Sequence, residues 1–159
     1  MSASDPRSKI DLLDSPEVVL EKVMATACIE GVVEKNTVLA FLRLLIIPVG
    51  KIRLDRAGQP GIIVQDYSPF TVEGAPYGTV LSVEMENNQF RHYSCYKEIE
   101  DDFCARELDL DTLKMAASRA INQLLSHIRR SFQENSEWQK AARLAYPDSE
   151  EEYVKSAAH

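Results

Sequence analysis

The chain has 159 residues, 45% of them hydrophobic, and its 18 Lys and Arg against 25 Asp and Glu leave a formal net charge of −7. That size and composition suit one domain with a real core and exclude extensive disorder. They also exclude a self-sufficient nucleic-acid binder, whose affinity comes from Lys and Arg displacing counterions from phosphate.

No apolar run approaches the roughly 20 residues that a membrane span needs. The longest, Leu44-Leu45-Ile46-Ile47-Pro48-Val49, stops far short. The first residues show no charged-then-apolar leader, and Cys28, Cys95 and Cys104 form no CxxC pair and no even framework. A reducing, cytoplasmic compartment is the expectation.

In chain order, Ser15-Pro16-Glu17 starts a helix, with Ser as N-cap, Pro at the first helical position and an acid facing the positive end of the dipole. Val18, Val19, Val23, Met24 and Cys28 give it one apolar face, and the helix is expected to end near Gly31. Asn36 caps the next helix, Thr37 to Ile47. This one is apolar nearly all round, central to the core, and expected to end at Pro48. The period then changes. Ile52 and Leu54 alternate, as do Ile62 and Val64, around the turn composition Ala57-Gly58-Gln59-Pro60. Leu81, Val83 and Met85 alternate again before Glu86-Asn87-Asn88-Gln89, whose Asn pair tolerates the positive φ of tight hairpins. Tyr67 to Gly78 reads as a loop. A small antiparallel sheet of three or four strands is expected.

Helix returns at Tyr96 with a short acidic segment to Arg106, and Asp109 or Asp111 caps the longest helix. Its apolar residues, Leu113, Ala117, Ala120, Ile121, Leu124, Leu125, Ile128 and Phe132, recur at three- and four-residue spacings. A last helix runs from Ser136 to Ala145 and closes at Pro147. Residues 148–159 form a polar tail.

Freestanding chemistry is scarce. His92, His127 and His159 lie far apart and near no spaced carboxylate or thiol pair, so no metal site is expected. The glycines belong to turns, not to a phosphate loop after a strand. Neither Cys95 nor Cys104 has an indicated partner base. The acids Glu98, Glu100, Asp101 and Asp102 read as a solvated helix face.

Three segments carry a resemblance. Cys28-Ile29-Glu30-Gly31-Val32-Val33-Glu34-Lys35-Asn36 is similar to the Cys-x-x-Gly-x-Val-Glu-x-Asn segment of tyrosyl-tRNA synthetases of the archaeal and eukaryotic type. Tyr93, Tyr96, Ile99, Glu100, Asp102, Phe103, Leu113 and Lys114 match that family's Tyr-x-x-Tyr-x-x-(Leu/Ile)-Glu-x-Asp-Phe region without a gap, and Ile128-Arg129 with Ala142, Ala145, Tyr146, Pro147 and Asp148 complete the match. Met1, Ser2, Ala3 and Ser4 resemble the remainder of a Lys-Met-Ser-Lys-Ser-type loop that handles ATP phosphates in class I enzymes, with Ser8 to Asp14 as the exit from the catalytic domain.

The resemblance implies a mainly α fold, the helical-bundle anticodon-binding domain of class I synthetases with a small inserted antiparallel sheet. Residues 1–14 would end the catalytic domain, 15–147 form the helical domain and 148–159 the tail. The parent reaction would be ATP-dependent activation of tyrosine, with Mg, and its transfer to tRNA(Tyr). The tyrosine and adenine pockets would lie upstream, so the 159 residues alone are expected to be inactive.

Departures from the family pattern matter as much. There, guanine at the first anticodon position is held by an aromatic-Gly-Gly loop and by the His and Asp of a His-Pro-x-Asp motif, which is the stacking and edge-bonding an unpaired base requires. The ungapped match places Asp109 at the His, Leu110 at the Pro and Thr112 at the Asp, and sets Asn87-Asn88-Gln89 against the aromatic-Gly-Gly loop. A stacking ring contributes about 1–3 kcal/mol per base, and an anionic Asp109 repels phosphate. A degraded anticodon reader is expected, as in the catalytic half of a tandem-fused pseudodimer or with a homodimer mate; the alternative is a diverged reader in which Asp111, Thr112 or Tyr77 supplies new contacts. Contacts to the tRNA backbone would fall to Lys114, Arg119, Arg129, Arg130, Lys140 and Arg143. The rival reading is a structural or interaction module that packs on a catalytic half or a partner domain.

Overall fold

A 25-residue helix, α5 (Leu110–Glu134), organises the molecule. The computed structural model describes residues 9–57 and 69–145. The expected Met1–Ser4 loop remnant, the Ile62/Val64 pair, Tyr146 to Asp148 and the 148–159 tail lie outside them.

α1 (Pro16–Met24) starts as its sequence directs: Val18 N–H donates to Ser15 Oγ at 3.4 Å, with Pro16 in the first turn. It ends at Met24, well before Gly31. The Thr26 hydroxyl donates to the Lys22 carbonyl at 3.1 Å and Lys114 Nζ to the Met24 carbonyl at 2.9 Å. These donors satisfy C-terminal carbonyls that helix termini leave open, so the chain can leave the helix there. Gly31 sits instead in a turn closed by Val32 N–H to the Ile29 carbonyl, at φ +73°, a conformation that favours glycine.

Asn36 caps α2 (Thr37–Phe41) as expected. Its buried side chain accepts from Leu39 N–H at 3.0 Å. The helix does not stop at Pro48. A π-helical turn, Leu42–Ile46, carries it into α3 (Ile47–Ala57). Proline lacks the N–H and its ring crowds the carbonyl four residues back. The wider turn just before it, with Pro48 in the first turn of α3, removes that conflict. Ile52 and Leu54 are therefore helical, not a strand. Nor is the helix apolar toward the core all round, for Leu44 is 74% exposed.

The sheet has two strands among the described residues, not three or four. β1 (Leu81–Glu84) and β2 (Phe90–Tyr93) pair antiparallel with Leu81 opposite Tyr93 and Glu84 opposite Phe90. The Asn pair turns the hairpin as expected, with Asn88 at φ +59° and its N–H donating to the Met85 carbonyl at 2.9 Å. α4 (Tyr96–Cys104) follows, its start secured by Glu98, which accepts from Ser94 N–H at 2.6 Å and from Cys95 N–H. α6 (Ser136–Ala145) closes the described chain.

The core lies where α5 meets α1, α2, the π turn and β1. Val19, Leu42, Ile46, Ile99, Phe103, Leu108 and Leu113 are fully buried there. The expected α5 stripe holds: Leu113, Ala117, Ala120, Ile121 and Leu125 are buried, with Leu124 and Ile128 half-buried against them. Among the described residues, no helix is long and apolar enough to cross a membrane and no group of acids, histidines and thiols could hold a metal ion.

Candidate nucleic-acid interface

The β-hairpin, residues 70–72 and α5 as far as Arg129 line an open groove of about 800 Å³. Asp109, Thr112 and Asn88, neighbour of Asn87, line it. Asp109 and Thr112 therefore line the groove together, Asn87 itself does not, and the side chains of Asp109 and Asn87 are engaged within the chain. Asp109 is the N-cap of α5, its Oδ1 accepting from Thr112 N–H at 2.8 Å. Thr112 is buried. Asn87 closes its own turn: Oδ1 accepts from Gln89 N–H and Nδ2 donates to Gln89 Oε1, each at 3.0 Å.

Charge in the groove follows the same direction. Its lining holds four carboxylates, Glu84, Glu86, Asp109 and Asp111, against two guanidinium groups, Arg119 and Arg129. Both arginines contact the chain, and the buried Nε of Arg129 has no hydrogen-bond partner. Arg119 pairs with Glu84 across the groove, and Arg129 Nη2 donates to Asn122 Oδ1 at 2.8 Å. Burial lowers the pKa of Arg129, opposed by Asp14 and Glu17. For Asp109, burial works to raise the pKa, but the Thr112 hydroxyl and the backbone amides of Thr112, Asp109 and Asp111 outweigh it and hold the carboxyl below its ordinary value. Hydrogen bonds from Ser94 N–H lower Glu98 most, against a desolvation effect, helped by the Ser94 hydroxyl and Cys95 N–H.

These two caps give an acid sensitivity of definite sign. An unfolded Asp near 3.9 or Glu near 4.3 takes up protons before its folded counterpart as pH falls. The stabilisation is therefore complete above about pH 5 and is lost progressively below about pH 4, through the folded pKa values. Asp109→Asn retains a capping oxygen without the titration. Denaturant midpoints followed from pH 7 to acid should fall less steeply for that variant, and superimposable profiles would contradict the assignment.

The six cations expected on the tRNA side separate into three groups. Lys114 is buried and tied to α1, hence not a surface contact, while Arg119 and Arg129 line the groove in pairs. Arg130, Lys140 and Arg143 are exposed at the far end of α5 and on α6. His127 is exposed as well. Sequence reading missed Phe90: it opens β2 and lines the groove with its side chain 41% exposed. Its place directly after the Asn87-Asn88-Gln89 turn was the available signal.

No family model matches the chain. Individual proteins do. The cytoplasmic tyrosine–tRNA ligase of Saccharomyces cerevisiae is 31% identical over 147 residues, 92% of this chain, and the tyrosine–tRNA ligase of Haloarcula marismortui 35% over 138 residues, 86% of it. Homologues covering about 90% of this chain are archaeal and eukaryotic tyrosyl-tRNA synthetases. It spans about a third of the length of these relatives, 33% in both cases. Crystal structures of tyrosyl-tRNA synthetases with L-tyrosine agree in fold: that from Pyrococcus horikoshii superposes with a TM-score of 0.62 at 22% identity, over 88% of this chain and 31% of its own. The Archaeoglobus fulgidus enzyme gives 0.57 at 25% identity, over 80% and 32%. A mainly α domain with a two-stranded insertion is thus a part that synthetases of this family carry.

Proposed function

We propose that the chain is the anticodon-domain part of a tyrosine–tRNA ligase whose groove no longer discriminates the anticodon. Residues 15–147 form that domain and residues 1–14 end the catalytic one. ATP with Mg, tyrosine and the acceptor end of tRNA(Tyr) belong to the catalytic part of the parent enzyme, to which a second synthetase half or a homodimer mate contributes. The observation that carries the reading is the employment of Asp109 as a helix cap and of Asn87 in its own turn, beside a groove whose lining has two more acids than bases. An unpaired guanine needs a stacking surface and donors or acceptors aimed at its edges. Here the carboxylates repel the adjoining phosphates, and Asp109 and Asn87 are already bonded to the chain.

Fluorescence titration of the 159-residue protein with an anticodon stem-loop tests this. Affinity should be weak, fall steeply with salt and change less than about twofold when the first anticodon base is replaced. Micromolar binding abolished by that replacement would refute the loss of discrimination.

A further inference from the structure

Once RNA is set aside, the groove still has chemistry to satisfy. Phe90 and Met115 expose 41% and 37% of their surfaces toward it, and the half-buried Met85 lies among its lining side chains. Glu86 is exposed on the hairpin side, and Asp109 and Asp111 stand at the start of α5. The positive end of the α5 dipole offsets part of the field of its own two acids. Glu86, on the opposite wall, has no such offset.

We propose that this groove docks a basic peptide segment of a partner protein, its arginine or lysine stems lying on Phe90 and Met115 and its cationic heads meeting Glu86, Asp109 and Asp111. Each feature selects that occupant. An aromatic face and a thioether accept alkyl stems and guanidinium planes well. A neutral apolar helix would desolvate the carboxylates without pairing them, and an RNA strand would bring phosphate to a wall with an excess of negative charge. A volume of about 800 Å³ accommodates a few side chains, enough to anchor a short segment. The inference rests on the reading that the groove does not hold the anticodon.

The test is fluorescence anisotropy with a fluorescein-labelled peptide of about twelve residues alternating Arg and Leu, against its Gln-for-Arg counterpart and the anticodon stem-loop. The Arg peptide should bind with micromolar affinity that weakens with salt, and the Gln peptide at least about tenfold more weakly. The double variant Glu86→Gln/Asp111→Asn should lower affinity about tenfold and Phe90→Ser about threefold, with circular dichroism verifying that each variant folds. Glu30→Gln/Glu34→Gln, the same charge change on exposed residues that do not line the groove, should leave affinity unchanged. Equal losses in the two double variants, no loss in either, or absence of binding would overturn the proposal. Base-selective stem-loop binding displaced by the peptide would overturn the functional reading as well, whereas failure of the peptide alone leaves that reading standing.

Discussion

Replacing Phe103 by Ala should lower the stability of the domain by about 3–5 kcal/mol, the largest effect expected of any single change in the chain. Its ring is wholly buried in α4, next to Ile99 and Leu108 in the same core. Truncation leaves a cavity within a cluster of fully buried large side chains, which resists collapse. The thermal midpoint should fall by roughly 10 °C or more. A loss under about 1 kcal/mol would mean that α4 packs far more loosely than its burial indicates. Phe103 also lies in the Tyr-x-x-Tyr-x-x-Ile-Glu-x-Asp-Phe region, so the experiment examines what that motif is for. In the structure it is a packing device. Tyr93, Ile99 and Phe103 are core residues, Tyr96 carries Arg43 over its ring at 5.5 Å, and Asp102 holds Arg91 Nε at 3.0 Å.

Lys114→Met is the second large effect, and it separates two roles that the same residue could play. A lysine gripping phosphate contributes to RNA affinity and little to folding. The buried ammonium observed here, donating to the last residue of α1, does the reverse. Met retains the stem packing and removes the charged donor, leaving the Met24 carbonyl without it. Stability should fall by about 1.5–3 kcal/mol, with the salt dependence of residual RNA binding unchanged. Arg130→Ala, Lys140→Ala and Arg143→Ala should behave oppositely, staying within about 0.5 kcal/mol of the parent in stability while each lowers the salt slope by up to about 1. A Lys114→Met protein of full stability and reduced slope would return Lys114 to the RNA side.

Much of the fold was legible because its signals are local and redundant. Ser15-Pro16, Asn36 and Asp109 are caps whose side chains bond the backbone three residues on, and α5 repeats its apolar spacing over many turns. The resemblance was legible for a similar reason: buried residues and capping groups constrain sequence strongly. Three things were not. Ile52 and Leu54 alternate over too few residues for their period to distinguish strand from helix. Pro48 reads as a stop unless the preceding turn is known to widen. The end of α1 depends on Lys114, ninety residues away, which no local pattern reveals. The groove was half legible. Family positions marked its place, but the engagement of Arg119 by Glu84 and the exposure of Phe90 follow from how the hairpin lies on α5.

The widened turn before Pro48 also has a consequence for how this part of the chain can change over generations. A helical residue turns the chain by about 100°, so the phase of Ile47, Val49 and Gly50 relative to α2 depends on the number of residues between them. Point substitutions at the exposed Leu44 or Leu45 leave that phase alone. Loss of one codon between Leu42 and Ile46 would instead close the widened turn to ordinary α geometry and restore the clash of Pro48 with the carbonyl four residues before it. Length there is under tighter constraint than residue identity.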